Sequence, residues 1–487
     1  MVENVIDQIN KLFHAQSIAF FGVSSKKGKL GNLLMQSFFD IEYEGELIPI
    51  HPYAEKVMSL RAYPNLEAYG EIDLAIISLH PSKVFSAVKD CIENGKAKGI
   101  VIFSSGFSEY GNEGKQLEKK IVDYARLHGT RIIGPNCMGL FSPSTKISFF
   151  PGLPSKPGNV AFVSHSGSLA VHLAFAASFR GIFFSKIISC GNGADLDLPD
   201  FFEYLGQDPE TKVIACYVEG IKDGNRFLRI ARQVSQKKPI IMWKVGETPG
   251  GRSAAQSHTG AIIGNSDLLK NVSDQAGIIR VNNLNEIIGH IGTFINPYLP
   301  KGNRVAIISG PGGPAVSSAD ACEKVGLQLT SFTPETEQTV AKIIPKFGTS
   351  VKNPVDLSLA IAFESALNYK AAEIVGKDEN VDSILIYIST LQKQTIKGLL
   401  QVQEQIRKPI ALITSIDPIW SLEGAEDIKN FLNPIRPRKL RKILQNLYQN
   451  GISLHLTEQD AAKALAALWK YNKYLYYNSY SKLSNSQ

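Results

Sequence analysis

A short apolar strand that runs into a turn of small residues, and then into a helix, occurs three times along this chain of 487 residues. Near-continuous apolar strands that alternate with helices are typical of a parallel sheet covered on both faces. The strands and their turns lie at 17–21 and 22–31, at 159–163 and 164–168, and at 304–309 and 310–315. The pattern predicts an α/β protein in which ligands bind where the strands end.

The length and the positions of proline and glycine divide the chain further. A chain this long exceeds what one hydrophobic core supports, so about three domains are expected. Proline and glycine cluster near 145–158 and near 295–303, which favours boundaries there. The predicted divisions are domains over 1–145, 146–298 and 299–472, followed by a loose tail over 473–487.

The composition narrows the class of protein. No stretch approaches about 18 uninterrupted apolar residues, and no signal-peptide core begins the chain, so we expect no membrane partner. A net charge of +7 without a broad basic face suits polyanionic small ligands but not nucleic acid. Five scattered cysteines argue against disulfides and a metal site, and they favour the cytoplasm: Cys91, Cys137, Cys190, Cys216 and Cys322.

The first turn carries residues that suit a phosphorylated ligand. Gly22, Ser24 and Ser25 are followed by the lysines Lys26 and Lys29. A junction of strand, loop and helix presents backbone N–H groups and the positive end of a helix to an anion. The alternative is an ordinary turn with surface lysines. Because the GxGxxG spacing and the Walker A lysine are both absent, we do not expect a dinucleotide.

The second turn has hydroxyl groups and glycine but no lysine. Ser164, Ser166 and Gly167 are suited to a compact anion such as phosphate. His165 is either a ligand contact or a hydrogen-bonded turn residue. Glu219 follows a buried strand at the ligand-facing end, where a carboxylate is able to orient an imidazole and stabilise its cationic or phosphorylated form. The alternative for Glu219 is an acidic residue at the start of a helix.

His258 stands in a small, polar, glycine-flanked segment, GGRSAAQSHTG at 250–260. Nothing apolar in this segment would hold an imidazole as filler, and we expect a mobile loop. A histidine presented by such a loop is a candidate nucleophile or proton carrier near neutral pH. A solvent-exposed loop histidine without a role is the alternative. A pairing of Glu219 with His258 is a spatial hypothesis.

Taken together, these segments resemble the alpha subunit of the ADP-forming acetate–CoA ligases, within the NDP-forming acyl-CoA synthetase superfamily that also contains succinyl-CoA synthetase. The resemblance covers about residues 10–470 and depends on many short motifs in the right order. The motifs are FGVSS at 21–25, SGFSE at 105–109, IGPNC at 133–137, SHSG at 164–167, GNGAD at 191–195, YVEGIKDG at 217–224, KVG at 244–246, SHTGA at 257–261 and NPVDL at 353–357.

The resemblance implies a Rossmann-like CoA-binding domain followed by two flavodoxin-like domains of the succinyl-CoA synthetase type. It also implies a reversible reaction in which phosphate attacks an acyl-CoA thioester to give an acyl phosphate and free CoA. A histidine then takes the phosphoryl group and passes it to a nucleoside diphosphate. A histidine that visits two sites in turn splits one difficult transfer into two.

The resemblance also assigns roles to residues. His258 matches the phosphorylated histidine and Glu219 the glutamate that steadies it, while Ser166 and Gly167, beside Ser164, match the helix start that holds phosphate. The residues matched to CoA binding are Gly22, Ser24, Ser25, Lys26, Lys29, Ser105, Gly106 and Phe107.

Three positions depart from the pattern of the family. His165 stands where these ligases commonly have Gln, and His51 stands in a His-Pro pair where Asn-Pro is usual. The loop after Ile308 has SGPGG at 309–313 where TNAGG is more usual. We expect the first departure to retune contacts with phosphate or substrate and the second to alter contacts with CoA.

No segment of the sequence resembles the ATP-grasp module that binds nucleotide in this superfamily. We therefore expect ADP or ATP and its Mg²⁺ to bind to a separate ATP-grasp beta subunit, in an α2β2 assembly. Two other functions stay open. One is a regulatory protein that binds CoA or acyl-CoA without turnover, and the other is a related CoA lyase or transferase that keeps the phosphohistidine.

Overall fold

The structure is a computed structural model that describes residues 4–26, 28–259, 266–310, 312–358, 364–388, 391–414 and 437–484. The α-helices are α1 Val5–Phe13, α2 Leu30–Asp40, α3 Pro81–Glu93, α4 Asn112–Leu127, α5 Gly167–Phe179, α6 Leu198–Gln207, α7 Gly224–Ser235, α8 Pro249–Thr259, α9 Ser266–Gln275, α10 Leu284–Phe294, α11 Gly312–Lys324, α12 Pro334–Ala341, α13 Ala366–Lys377, α14 Lys393–Ile406, α15 Pro437–Gln449 and α16 Glu458–Ser484. A 3₁₀ helix spans Ser108–Tyr110.

The strands follow the predicted alternation with these helices. They are β1 Ser17–Phe21, β2 Glu46–Ile50, β3 Lys56–Val57, β4 Leu60–Arg61, β5 Leu74–Ile77, β6 Gly99–Ile102, β7 Arg131–Ile133, β8 Gly139–Phe141, β9 Val160–Ser164, β10 Phe184–Ser189, β11 Val213–Val218, β12 Ile240–Lys244, β13 Ile278–Val281, β14 Arg304–Ser309, β15 Gln328–Leu329, β16 Val355–Asp356, β17 Ser383–Tyr387, β18 Ile410–Ile413 and β19 Ser453–His455.

The first sheet is parallel, with the strand order β2-β1-β5-β6-β7. Successive side chains of a strand point to opposite faces, and β1 is apolar on both. Ile18 and Phe20 pack with buried side chains of α1 and α2, whereas Ala19 and Phe21 pack with those of α3 and α4. Helices therefore cover both faces, which explains why the strands are continuous apolar runs.

The second sheet has the order β13-β12-β11-β9-β10-β8, in which only β8 is antiparallel to its neighbour. The third has the order β15-β14-β17-β18-β19, with β16 paired to the end of β14. The strands that begin the predicted repeats, β9 and β14, each lie between two other strands of their sheet. These parallel sheets confirm the predicted α/β class.

The described residues form two compact units, 1–178 with 183–282, and 179–182 with 283–487. The second unit begins before the predicted boundary near 298 because α10 packs with the third sheet and its helices. A Lys463–Glu286 ion pair joins α10 to α16, and Gly292 lies against the ring of Tyr448. The division into three domains stays a prediction.

The C-terminal segment differs from the sequence expectation. Helix α16 extends to Ser484, where the sequence predicted a loose tail over 473–487. Ring contacts stabilise its last turns, since Tyr471 stacks on Tyr474 and the ammonium group of Lys473 lies over the rings of Trp469 and Tyr477. The polar composition of this segment predicted a loose tail wrongly, because its aromatic side chains contact each other along one helix. Within the described ranges, no helix has both the length and the apolar character needed to span a bilayer.

Asp195 connects the loop after β10 to the first sheet. Its buried carboxylate accepts hydrogen bonds from Arg131 at 2.9 and 3.0 Å, from Arg126 at 2.6 Å and from the backbone N–H of Ile132 at 2.8 Å. Burial alone would raise the pKa of Asp195, but these hydrogen bonds and the charge of Arg131 hold it below its ordinary value. The carboxylate is therefore a charged structural link within the first unit.

Replacing Asp195 by Asn is expected to lower the free energy of unfolding by about 3 kcal/mol at neutral pH, because the largely buried Arg131 loses its counter-charge. The depressed pKa means that the carboxylate stabilises the fold above the ordinary aspartate pKa of about 3.9. That contribution disappears as the pH falls through the lower folded pKa. Urea unfolding of the parent and D195N chains over a pH series measures both effects.

The exposed pair Lys96–Glu71 offers a matched control, since its side chains are 67% and 68% exposed. The change Glu71→Gln is expected to cost less than about 0.5 kcal/mol at any of these pH values. If both variants lost the same stability, Asp195 would have no special role.

Candidate functional site

The turn after β1 is shaped by a glycine that no other residue replaces without strain. Gly22 has a φ of +90°, and a Cβ atom at this position would lie 2.0 Å from the carbonyl oxygen of Ser78. At the start of α2, a Cβ atom on Gly31 would lie 2.4 Å from the carbonyl oxygen of Gly22. Close backbone packing thus forces the chain to turn sharply where the strand ends.

Asn32 of α2 fixes the rest of this turn. Its side-chain oxygen accepts the N–H of Ser24 at 2.8 Å, and its amide group donates to the carbonyls of Ser24 and Lys26 at 2.8 and 3.1 Å. The hydroxyl of Ser24 accepts the N–H of Lys26 at 3.1 Å. The exposed residues Ser25, Lys26 and Lys29 are therefore presented by an ordered turn.

The turn after β6 lies at the same edge of the first sheet. The hydroxyl of Ser104 accepts the N–H of Leu79 at 2.9 Å and donates to its carbonyl at 2.6 Å, which joins this turn to the one after β5. Ser105 is exposed, and Gly106 has a φ of +101° with its N–H donated to Glu109 at 2.5 Å. The predicted CoA-binding residues are thus gathered along one edge.

Phe107 is an exception among those residues. Its side chain is 0% exposed and packs in the core that α3 and α4 form over the first sheet. The ring is therefore part of the apolar cover of the sheet, and contact of residue 107 with CoA stays a prediction.

His51, the departure after β2, makes the hydrogen bonds of a turn residue. Its Nδ1 accepts the N–H groups of Tyr53 at 3.2 Å and Ala54 at 3.0 Å. An Asn side-chain oxygen makes the same kind of bond in an Asx turn. The exchange of Asn for His at this position is therefore compatible with the same backbone turn.

The turn after β9 begins with a serine whose hydroxyl is used internally. The Ser164 hydroxyl donates to the carbonyl of Ser166 at 2.7 Å and accepts its N–H at 3.1 Å. The Ser166 hydroxyl accepts the N–H of Leu169 in the first turn of α5 at 3.4 Å. A Cβ atom on Gly167 would lie 2.4 Å from the Met138 side chain, so the helix start packs closely. The predicted phosphate-binding residues form this rigid helix start.

Glu219 lies beside that turn, directly after β11. Its backbone N–H donates to His165 Nδ1 at 3.1 Å, and the backbone N–H of His165 donates to the carbonyl of Tyr217 at 3.2 Å. The Glu219 side chain is 3% exposed, and its Oε2 has no hydrogen-bond partner among the described residues. Burying a carboxylate oxygen without a hydrogen-bond partner costs free energy. The Oε2 atom of Glu219 is therefore suited to accept a hydrogen bond from a donor outside the described residues.

Lys244 fixes the other side of the Glu219 backbone. Its buried ammonium group donates to the carbonyl of Glu219 at 2.8 Å and also to the carbonyl of Val245. Burial lowers the pKa of Lys244, although the charges of Glu247 and Glu219 oppose that shift. The Glu219 peptide is thus held through both its N–H and its C=O group.

The segment with His258 is helical where the sequence predicted a loop. Helix α8 covers Pro249–Thr259, and the Thr248 hydroxyl accepts the N–H of Gly251 at 3.1 Å, as at the start of many helices. The prediction failed because small residues such as Ala254 and Ala255 also favour helices. The side chain of His258 lies outside the described part of the chain. Helix α8 lies against the 3₁₀ helix Ser108–Tyr110, close to the turn after β6.

Sequence reasoning assigned no role to Asn192, which joins the two groups of turns. Its amide nitrogen lies 3.0 Å from the hydroxyl of Ser108 and 2.7 and 2.9 Å from carboxylate oxygens of Glu109 and Glu118. Lys222 donates to the carbonyls of Asn192 and Gly193 at 2.6 and 2.8 Å. One indication of these two residues was present in the sequence, since Asn192 lies in the GNGAD motif and Lys222 in the YVEGIKDG motif.

One group of side chains has donor atoms close enough to be compared with a metal site. The ligand atoms of His165, Cys190 and Asp197 lie within 4.8 Å of one another. Burial raises the pKa of the Cys190 thiol well above its ordinary value, and the charge of Asp197 adds to this shift. Two of these side chains already have other hydrogen-bond partners, because His165 Nδ1 accepts the N–H of Glu219 and the Asp197 carboxylate accepts the N–H of Leu198. We assign no metal to this group.

Three stretches of the chain match known families. Residues 16–143 match the CoA binding domain, residues 157–294 the succinyl-CoA ligase like flavodoxin domain and residues 305–394 the ligase-CoA domain. The alpha subunit of the ADP-forming acetate–CoA ligase II of Pyrococcus furiosus is 36% identical over 464 residues, which cover 94% of this chain and 97% of that subunit. This chain belongs to the ADP-forming acetate–CoA ligase family.

Other members of this ligase family show how the chain relates to longer and solved relatives. The ADP-forming acetate–CoA ligase I of Archaeoglobus fulgidus is 31% identical over 444 residues, covering 90% of this chain and 63% of that protein. An acetyl-coenzyme A synthetase 1 of Ca. Korarchaeum cryptofilum, solved in complex with phosphate and ADP, has a TM-score of 0.81 at 29% identity and covers 97% of this chain and 98% of that chain. The predicted family and the order of domain types are confirmed.

In this ligase chain, the change Gly22→Ala is expected to lower the free energy of unfolding by about 3 kcal/mol, because it adds a backbone clash to an unfavourable φ. Gly28→Ala is the matched control in the same turn, since Gly28 has a φ of +79° but nothing within 4 Å of the added Cβ atom. It is expected to cost about 1 kcal/mol. Urea unfolding of both variants compares them, and equal losses would show that close packing at Gly22 is unimportant.

Proposed function

We propose that this chain is the alpha subunit of an NDP-forming acyl-CoA synthetase. The reversible reaction is acid + CoA + ATP = acyl-CoA + ADP + phosphate, with an acyl phosphate and a phosphohistidine at His258 as intermediates. The observation that carries the proposal is the buried, unpartnered Oε2 of Glu219 beside the helix start at Ser166 and Gly167. An anion site and an orienting carboxylate side by side are what a phosphohistidine requires.

The edge of the first sheet is proposed to bind CoA. Lys26 and Lys29 lie exposed on an ordered turn, where their charges attract the phosphates of CoA. Leu30 and Leu33 of α2 are 50% and 40% exposed in the groove beside this turn. They offer an apolar wall next to the basic turn, which suits a ligand with both phosphate and uncharged parts. Ser105 and Gly106 lie along the same edge.

The turn after β9 is proposed to hold phosphate. The N–H groups at the start of a helix have no partners within the helix, and its positive end attracts an anion. A phosphate oxygen held there attacks the thioester carbonyl carbon, the C–S bond breaks, and CoA leaves as a thiolate that takes up a proton. The acyl group is then bonded to phosphate as an acyl phosphate.

Glu219 is proposed to act on the next step. A ring nitrogen of His258 attacks the phosphorus atom, the bond from phosphorus to the acyl oxygen breaks, and the carboxylic acid leaves as a carboxylate. The other ring nitrogen then carries a proton on a cationic ring. The free Oε2 of Glu219 is suited to accept that N–H group, which orients the ring and stabilises its positive charge.

Helix α8, which contains His258, adjoins both groups of turns along the sequence and in the fold. It follows β12 and Lys244, which holds Glu219, and it lies against the 3₁₀ helix that Asn192 contacts. These neighbours support a histidine that works between the CoA edge and the phosphate turn. The regulatory alternative, a CoA-binding protein without turnover, gives no reason for the unpartnered Glu219 oxygen, and the lyase or transferase alternative has no separate observation in its favour.

The nucleotide is proposed to bind to a separate ATP-grasp beta subunit, in an α2β2 assembly, where Mg²⁺ would accompany ADP or ATP. The names and lengths of the relatives support this division, since the Pyrococcus furiosus relative is an alpha subunit and the Archaeoglobus fulgidus relative is longer than this chain. We further propose the domain limits 1–145, 146–298 and 299–472. A cytoplasmic location is supported by the five cysteines, all of which are free and buried.

The change His258→Ala is expected to abolish phosphorylation of this chain by acyl-CoA and labelled inorganic phosphate, because it removes the nucleophile. Glu219→Gln is expected to slow the labelling about 30-fold, the effect of losing a charge-assisted hydrogen bond worth about 2 kcal/mol. Acid-labile, base-stable label on the protein measures both rates.

Glu113→Gln, a change at an exposed acidic residue in the first turn of α4, is the control and is expected to label like the parent chain. Undiminished label on H258A would overturn the proposed nucleophile. Tight CoA binding without label on the parent chain would favour the regulatory alternative.

A second prediction concerns the partner. This chain alone is expected to form no ATP from acyl-CoA, phosphate and ADP, whereas the co-expressed complex forms it, because the nucleotide site is proposed to lie on the beta subunit. Size-exclusion chromatography together with an ATP assay of the chain and of the complex measures this. Full ATP formation by the chain alone would contradict the proposal that the nucleotide site lies on the beta subunit.

A further inference from the structure

Both ring nitrogens of His165 are engaged in the turn after β9. Nδ1 accepts the backbone N–H of Glu219 at 3.1 Å, and Nε2 lies 3.3 Å from Oδ1 of Asp197. A backbone N–H group only donates, so Nδ1 carries the lone pair and the proton belongs on Nε2, where it faces the carboxylate. The contacts therefore select the neutral ring with its proton on Nε2.

Asp197 is itself firmly held at the start of α6. Its carboxylate accepts the N–H of Leu198 at 2.8 Å, and its own N–H donates to Asp200 at 3.0 Å in a capping box. Burial alone would raise the pKa of Asp197, but its hydrogen bond with His165 and the charge of Lys222 hold it lower. The imidazole is thus anchored to a helix start through an ionised carboxylate.

Among the described residues, Asp197 and Cys190 have ligand atoms within 4.8 Å of a nitrogen of this ring, and Glu219 donates its backbone N–H to it. Lys222 and Lys244 bond to the backbone beside these residues. The two lysines are engaged elsewhere, because Lys222 donates to backbone carbonyls of the loop after β10 and Lys244 donates to the carbonyl of Glu219. Among the described contacts, the N–H of Glu219 is received by His165.

We propose that His165 is a positioning residue for Glu219, and that the acceptor at its Nδ1 holds the Glu219 backbone in place. This inference rests on the proposed role of Glu219 as the partner of a phosphorylated histidine. A side chain without an acceptor at this place leaves the N–H of Glu219 without its hydrogen bond, and the Glu219 carboxylate loses its orientation.

Glutamine is the matched replacement for this histidine. Its side-chain amide offers one acceptor for the N–H of Glu219 and one donor for Asp197, the same pair that the neutral ring offers, and it does not titrate. Leucine has a comparable size but neither group. The two variants therefore separate the hydrogen bonds of His165 from its bulk.

The test measures the rate of labelling by acyl-CoA and labelled inorganic phosphate at neutral pH, for the complex with the parent chain, H165Q or H165L. We expect H165Q to label within about twofold of the parent and H165L about tenfold more slowly. Rescue by glutamine but not by leucine is the result that a role in bulk packing alone would not give.

Thermal unfolding of each variant shows whether it is folded, and if H165L is not, H165M replaces it as the variant that lacks both hydrogen bonds. A folded H165L or H165M that labels as fast as the parent, or a folded H165Q that labels as slowly as either, would overturn the positioning role. Absence of label on the parent chain would instead contradict the proposed function itself, so the two failures are distinguishable.

Discussion

The loop at residues 191–195 is the contact on which the first compact unit depends. Its backbone N–H groups at Asn192 and Ala194 donate to the carbonyls of Pro135 and Gly134 at 2.9 and 3.0 Å, and Asp195 adds the buried ion pair with Arg131. These bonds join the end of a strand in the second sheet to the turn after the last strand of the first. The relative position of these two sheet edges therefore depends on one loop.

That loop also joins the two groups of turns that are proposed to bind CoA and phosphate. The side chain of Asn192 contacts the 3₁₀ helix beside the proposed CoA edge, while its carbonyl receives Lys222, which follows Glu219 in the same turn. A displacement of either edge would strain bonds at the same residue. Fixed distances between reacting groups are worth much to a transfer reaction, since misplacement by about 1 Å costs large factors in rate.

Much of the fold was predictable because the pattern of residues within short segments determines it. Short apolar runs such as 17–21 and 160–164, followed by glycine and serine turns, favour buried strands. The turns around Gly22 and Ser166 were therefore predictable as junctions of strand and helix, and their role in ligand binding stays a prediction. Predictions from local composition failed where small or polar residues are compatible with more than one structure, as in the segment of His258, which is helical.

The contacts that complete the candidate site were out of reach for the same reason. Asn192 bonds to residues more than seventy positions earlier in the chain, and the ring of His165 bonds to Asp197 at the start of α6 and to Glu219 after β11. No spacing within one segment reveals such pairs. The burial of Phe107 was equally hidden, because a motif shows which residues belong together but not which of them points into the core.

Helix α1 has a consequence for how the chain is made. Phe13 stacks on Tyr204 of α6 at 5.5 Å, and the ammonium group of Lys186 lies over the ring of Phe13. Residues 186 and 204 are synthesised long after α1, so the ring of Phe13 gains these two contacts only when the second sheet and α6 have begun to form.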